Sequence, residues 1–299
     1  MLTRNKPIHT LVLFMLGLLF AGVAGCEGQQ YKPLALLQDD TNPSINWVSH
    51  PSPVRPTVVN VLSCPSDMVL VEGSFCPDAE EHCETWAYDS FMPGTTDPLR
   101  CLRFRTPNTC TSSSRHIPMR FCMDRYEYPN IEGAYPPVYV SWHEARTLCS
   151  QRGRRLCTSN EWTMACEGGD VVMNPYPYGL VRDQTVCRID VNIAPDRALL
   201  GNPATQRAEL ERVYSAVPSG SRPLCVSRYG VHDMTGNVDE WVVNERGHMN
   251  HPPYRSGLKG GYWGPVRTRC RPMTTIHGPT FSYYQIGFRC CGEVRPGSS

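Results

Sequence analysis

The run Ser141-Trp142-His143-Glu144 opens a stretch in which Trp142, Ala145, Leu148 and Cys149 recur at helical spacing on one face, and Gly153 closes it. A serine three residues ahead of a glutamate is a capping box, so the pattern predicts a helix that starts there and stops near the glycine. Thr158-Ser159-Asn160-Glu161 repeats the device, with Trp162, Ala165 and Cys166 on one face and Gly168 at the end. Both predicted helices point a tryptophan and a cysteine at the core. Shorter apolar runs predict strands at Met68–Val71, Phe121–Tyr126, Val138–Val140, Val238–Val242 and Ile286–Cys290. Between them turn formers are dense, and 24 Gly and 27 Pro in 299 residues predict sparse regular structure and long loops.

The N-terminus has a different pattern. Arg4 and Lys6 precede an apolar run from Leu11 to Phe20 and the small residues Ala21, Gly22, Ala24 and Gly25. This predicts an export signal over residues 1–25, too short to span a bilayer as a mature helix. Val23-Ala24-Gly25-Cys26 resembles the bacterial lipobox, which implies acylation of Cys26 and a lipid anchor at a bacterial envelope, periplasmic or surface-facing; plain cleavage, leaving Cys26 as a disulfide partner, is the other reading. Residues 26–61 carry Pro33, Pro43, Pro51, Pro53 and Pro56 and read as a tether, at about 3.1 Å per residue where polyproline-like. One domain spans 62–292, and 293–299 read as a disordered tail.

Composition narrows the function. With 29 Lys+Arg against 28 Asp+Glu, nothing draws the chain to nucleic acid. The 15 cysteines suit an oxidising compartment, and setting Cys26 aside leaves an even number that can pair completely. Zinc binding by some of them is the competing reading.

An ordered set of motifs then carries a resemblance. It runs from Met68-Val69-Leu70-Val71-Glu72-Gly73 through Met123-Asp124-Arg125-Tyr126-Glu127-Tyr128, Gly153-Arg154-Arg155-Leu156, Tyr176-Pro177-Tyr178-Gly179 and Tyr229-Gly230-Val231-His232-Asp233-Met234. Gly236-Asn237-Val238-Asp239-Glu240-Trp241, Gly260-Gly261 and Gly287-Phe288-Arg289 complete it. The domain resembles the formylglycine-generating enzyme, or sulfatase-modifying factor, family. The resemblance implies an α+β fold, a loop-rich variant of the C-type lectin fold stapled by disulfides.

Formylglycine formation in that family uses two cysteines, after a Gly-Gly-Ser motif, that hold Cu(I), a soft ion that prefers thiolates. Here Tyr262 replaces the serine, Asp239 replaces an aromatic residue, and no cysteine lies between Gly261 and Cys270. Copper is therefore not expected. The leading expectation is a non-catalytic module that binds a peptide, protein or glycan, with Asp239, Tyr262, Trp263, Arg267 and Arg269 rimming its pocket. Aromatic and arginine side chains suit such ligands, while buried packing is the other reading of Trp263. An oxidoreductase of the same superfamily using other residues is the alternative.

Carried over from the resemblance, Cys149 pairs with Cys290, and Cys166 pairs with Cys270. The family also wraps a structural Ca2+ at positions matching Asp233, the carbonyls of Gly236 and Val238, and the carboxylate of Glu240. A metal-free turn is the other reading of that run. A second family calcium site begins at an asparagine, where Arg188 stands here, so that site is not expected.

Overall fold

The computed structural model describes residues 62–88, 94–247 and 253–296. The chain divides into two units, Met1–Thr57 and Val58–Ser299, and every described residue belongs to the second. The export signal, Cys26 and the tether up to residue 61 lie outside the described residues.

In chain order the elements are β1 (Leu62–Ser63), β2 (Met68–Phe75), β3 (Ala79–Glu80), β4 (Cys83–Tyr88), β5 (Thr96–Phe104), β6 (Thr109–Cys110) and β7 (Ile117–Asp124). Then follow α1 (Trp142–Gln151), β8 (Arg155–Leu156), α2 (Ser159–Glu167), α3 (Arg197–Gly201), α4 (Gln206–Val213) and β9 (Asp239–Val243). The chain closes with β10 (Ser256–Lys259), β11 (Met273–Thr274), β12 (Ile286–Phe288), β13 (Cys290–Gly292) and β14 (Arg295–Pro296). The domain is α+β, with short strands and long loops.

Two four-stranded sheets organise it, in the orders β2-β7-β13-β8 and β11-β10-β9-β12. The long antiparallel pairing runs from Met68 opposite Asp124 to Phe75 opposite Ile117. In the second sheet β12 joins β9 in parallel, which brings Gly287 opposite Glu240.

Both predicted helices form, and each capping box closes in both directions. Ser141 Oγ accepts from the Glu144 amide at 3.3 Å, and the Glu144 carboxylate accepts from the Ser141 amide at 2.8 Å. The Thr158 and Glu161 pair does the same at 3.2 and 2.8 Å. A capping side chain of this kind contributes about 1 kcal/mol. Gly168 ends α2 with φ 89°, a left-handed conformation that costs glycine little.

α2 packs Trp162, Met164 and Ala165 against Val69, Val71, Phe121 and Met123 of the first sheet. α1 packs Trp142 and Ala145 against Trp241, Leu258, Ile286 and Phe288 of the second. Two details differ from the sequence pattern. Val138–Val140 is not a strand, because Tyr139 takes φ 66° and so leaves the extended region a ladder needs. Within the expected tail, Arg295 and Pro296 pair with Ser63 and Leu62, so the chain ends of the domain meet in a small ladder.

Every described cysteine is bonded. Cys149 joins Cys290, Cys166 joins Cys270, and Cys157 joins Cys291. The adjacent Cys290 and Cys291 therefore hold two separate bridges, one to α1 and one to the residue before the N-cap of α2. Cys64–Cys122, Cys76–Cys110, Cys83–Cys101 and Cys187–Cys225 complete the set. Cys76, Cys110 and His116 approach one another closely, but the two sulfurs are bonded to each other, which removes them as thiolate ligands.

Candidate functional site

β10 is followed by Gly260 and Gly261, whose φ values are 87° and 70°. Side chains have no room there. A Cβ on Gly260 would lie 2.6 Å from the Met234 carbonyl oxygen, and one on Gly261 would lie 2.6 Å from Thr268 Cγ2. The tight turn delivers Tyr262 and Trp263 into the interior and leads on to Cys270, which is tied to α2.

Trp263 is fully buried among Leu200, Val213, Ala216, Val238 and Tyr284. Its amide donates to the Asn237 carbonyl at 3.1 Å, and its own carbonyl accepts from the Val191 amide at 2.7 Å. The segment carrying α3 and α4 supplies Leu200 and Val213 to this cluster, so Trp263 serves the core. Asp239 and Arg267 form a buried ion pair at 3.0 Å, and Arg267 also donates to the Leu258 carbonyl. Burial pushes the Asp239 carboxyl up, against the opposing pull of Arg267. Tyr262 is half-buried and accepts a hydrogen bond from the Tyr284 hydroxyl at 3.2 Å. Arg269 pairs with Glu81 at 3.1 Å and lies over the Trp86 ring.

The expected ligand rim is thereby corrected. Asp239, Trp263 and Arg267 are interior groups closed off from solvent, and Tyr262 and Arg269 are only partly exposed. Aromatic and arginine content was visible in the sequence, but Trp263 is buried by the distant α3 and α4 segment, and Asp239 and Arg267 are buried against each other.

The run from Asp233 to Glu240 forms a different kind of site. Asp233, Gly236 and Asn237 all take positive φ, at 57°, 85° and 53°. Asp233 Oδ2 accepts from the Gly220 amide at 2.7 Å, whereas its Oδ1 is buried without a partner among the described residues. Glu240 is gripped by Arg289 through two bonds of 2.7 and 2.6 Å and accepts from the Trp162 indole at 2.8 Å. Its carboxylate, expected to face a metal, instead faces a guanidinium.

A third acid was missed by sequence reasoning. Glu127, from the Tyr-Glu-Tyr motif, is fully buried and accepts from Ser219 and Asn237 at 2.7 Å each and from the Val238 amide at 3.3 Å. Burial pushes its carboxyl well up, and the charges of Asp233 and Glu240 add to the effect. Burial likewise pushes Asp233 up to about 6. Arg289 is the one guanidinium bonded within this three-carboxyl cluster. Three buried carboxyls against one bonded guanidinium, and one orphaned carboxylate oxygen on Asp233, fit a divalent hard cation. The fit places Asp233 and the Gly236 and Val238 carbonyls as donors, with Glu240 committed to Arg289.

Lys259, the last residue of β10, also lines an open cleft of about 340 Å³, together with Phe75, Asp78, Ser159, Glu245 and Arg271 among others. The cleft shares none of the residues of the expected rim.

A family profile for the sulfatase-modifying factor enzyme 1-like domain matches residues 111–294. The chain belongs to this family. Among curated members of known name, it is similar to the inactive C-alpha-formylglycine-generating enzyme 2 of Bos taurus, 30% identical over 172 residues that cover 54% of this chain and 52% of that protein. It is also similar to the formylglycine-generating enzyme of Thermomonospora curvata, 28% identical over 172 residues, covering 55% and 52%. The chain spans about half the length of the curated relatives it matches. Among solved structures, CarF matches with a TM-score of 0.47 at 16% identity, over 77% of this chain and 99% of that one. PvdO from Pseudomonas aeruginosa matches with a TM-score of 0.43 at 16% identity, over 76% and 94%. Membership of the sulfatase-modifying factor family assigns the fold; what this member does rests on its own side chains.

Proposed function

We propose that the chain is a non-catalytic member of the sulfatase-modifying factor family, anchored by a lipid on Cys26 at a bacterial envelope, where it binds a peptide or glycan. One observation carries the loss of catalysis. The segment after Gly261 presents Tyr262 and Trp263 packed into the core, and its one cysteine, Cys270, is bonded to Cys166. Among the described residues no thiol remains to hold Cu(I), because all fourteen cysteines are in seven disulfides. The similarity to a mammalian protein named as inactive supports the same reading.

A Ca2+ ion held by Asp233 and the Gly236 and Val238 carbonyls is part of the proposal, as a structural element. Bound there, it would supply positive charge to a cluster that buries more carboxyl groups than guanidinium groups. Asn237 would hold the turn from within, since its side chain bridges Glu127 and Val217.

The test is a metal and thiol measurement on the purified, non-reduced chain. The proposal expects no free thiol, no retained copper or iron, and no oxidation of a cysteine-containing peptide under oxygen with added Cu(I). A reactive thiol pair with bound copper would overturn it.

A further inference from the structure

The chain holds 26 arginines but three lysines, Lys6, Lys32 and Lys259, so Lys259 is the sole lysine from residue 58 onward. Arginine covers every other cationic position of the domain. Lys259 lines the open cleft, yet the residue is only 1% exposed. Its Nζ donates to the Arg271 carbonyl at 2.9 Å and stands 5.3 Å from the centre of the Trp162 ring. An ammonium has three donors, and burial without a counterion is costly.

The acids nearby are committed elsewhere. Glu167 accepts two bonds from Arg271, at 2.9 and 2.7 Å. Glu245 accepts from the Ser159 and Asn160 amides at the start of α2, at 3.1 Å each. Asp78 pairs with Arg246 at 2.8 Å. Among the described residues no carboxylate lies within ion-pair distance of Lys259. The cleft therefore borders a buried amine, cationic below about pH 7, that lacks a counterion and is flanked by the Arg271 guanidinium. Ser159, Thr111 and Asn160 add polar groups to its wall, and Phe75, Pro77 and Met273 add apolar ones. That mixture and a volume of about 340 Å³ match a site for a small organic acid or a single peptide side chain.

We propose that this cleft binds a ligand through a carboxylate, which completes the ion pair that Lys259 lacks. The inference rests on the binding-module reading and gives it a location, away from the filled pocket. A small acid and a peptide share this chemistry, and they are separated by the choice of probe.

Because the domain has one lysine, acetylation by an N-hydroxysuccinimide ester followed by peptide mapping reports on Lys259 alone. The full chain is labelled with succinate or with succinamide, and with an acetyl-Gly-Glu-Gly amide peptide or its Gln counterpart. Protection by an acid probe and not by its matched amide is the expected result: succinate alone indicates a small acid, the Glu peptide alone a peptide. In calorimetry Lys259→Met is expected to weaken the protective probe by about tenfold or more, as loss of a charge-assisted bond implies, while Lys259→Arg retains it. Equal labelling with acids and amides overturns the proposal, and so does unchanged affinity in a folded Lys259→Met chain. The labelling arm uses the unmodified protein and stands even where a variant fails to fold. A free-thiol pair with copper would sink the non-catalytic reading without altering the labelling result, so the two fail separately.

Discussion

Trp263 meets Tyr284 edge to face, with ring centroids 5.8 Å apart and planes at 61°. The contact lies directly after the Gly260-Gly261 turn, where catalytic members of the family keep their reactive cysteines by the resemblance noted from sequence. The positions directly after that turn are filled by packed aromatic rings. Truncation should therefore act on stability. Trp263→Ala is expected to cost about 3–5 kcal/mol, the range for deleting a buried aromatic side chain. Trp263→Phe should cost less, because the indole Nε1 has no hydrogen-bond partner to lose. Urea unfolding of both variants checks this; a loss below about 1 kcal/mol for Trp263→Ala would show that the ring is not core.

The bridges that join the helical region to the C-terminal segment close long loops. Cys166 and Cys270 are separated by 104 residues in sequence. Replacing both with alanine is expected to cost about 4–5 kcal/mol in the chain-entropy picture. Denaturant midpoints of the double variant, with the other bridges verified by mass, measure it.

Calcium removal gives a third outcome. If Asp233 holds the ion, a chelator should lower the melting temperature, and calcium at about one hundred times its dissociation constant should restore about 2.7 kcal/mol. Asp233→Asn should abolish that dependence. An identical melting temperature with and without chelator would refute the calcium assignment.

Lys259 sets a pH dependence. Burial, reinforced by Arg267, lowers its ammonium from 10.5 to about 7, with Arg271 acting in the same direction and Glu167 and Glu81 opposing. Between those two values the unfolded chain binds a proton that the folded chain has released. Stability should therefore rise with pH across that window, by at most about 1.4 kcal/mol per pH unit from this group. Lys259→Met should remove this contribution. Urea midpoints of the two proteins at pH 7, 8 and 9 decide it, and parallel curves would exclude Lys259 as the source.

What the sequence revealed was mainly what local chemistry determines. Ser141 with Glu144 and Thr158 with Glu161 announce α1 and α2 because a cap needs only four consecutive residues. The apolar runs around Val71 and Met123 announce two strands for a similar reason, while their antiparallel pairing is set by the fold. Tyr139 escaped because its left-handed backbone conformation leaves no trace in a run of apolar letters. α3 and α4 escaped because they are short, and their apolar face is defined by distant Trp263 and Val238. Asp239 and Arg267 looked like ligand groups, but a sequence separation of 28 residues hides that they neutralise each other. Glu127 is the instructive omission: a glutamate between two tyrosines resembles a strand residue, and only the fold sets it beside Asn237 and Ser219.

The two bridges at Cys290 and Cys291 and the third at Cys270 all reach back to the stretch between Cys149 and Cys166. Backbone cleavage anywhere from Glu167 to Arg269 would thus leave both fragments on one covalent frame. On such a scaffold the long surface loops can be nicked by proteases without shedding either half, and damage of that kind would become visible only after reduction.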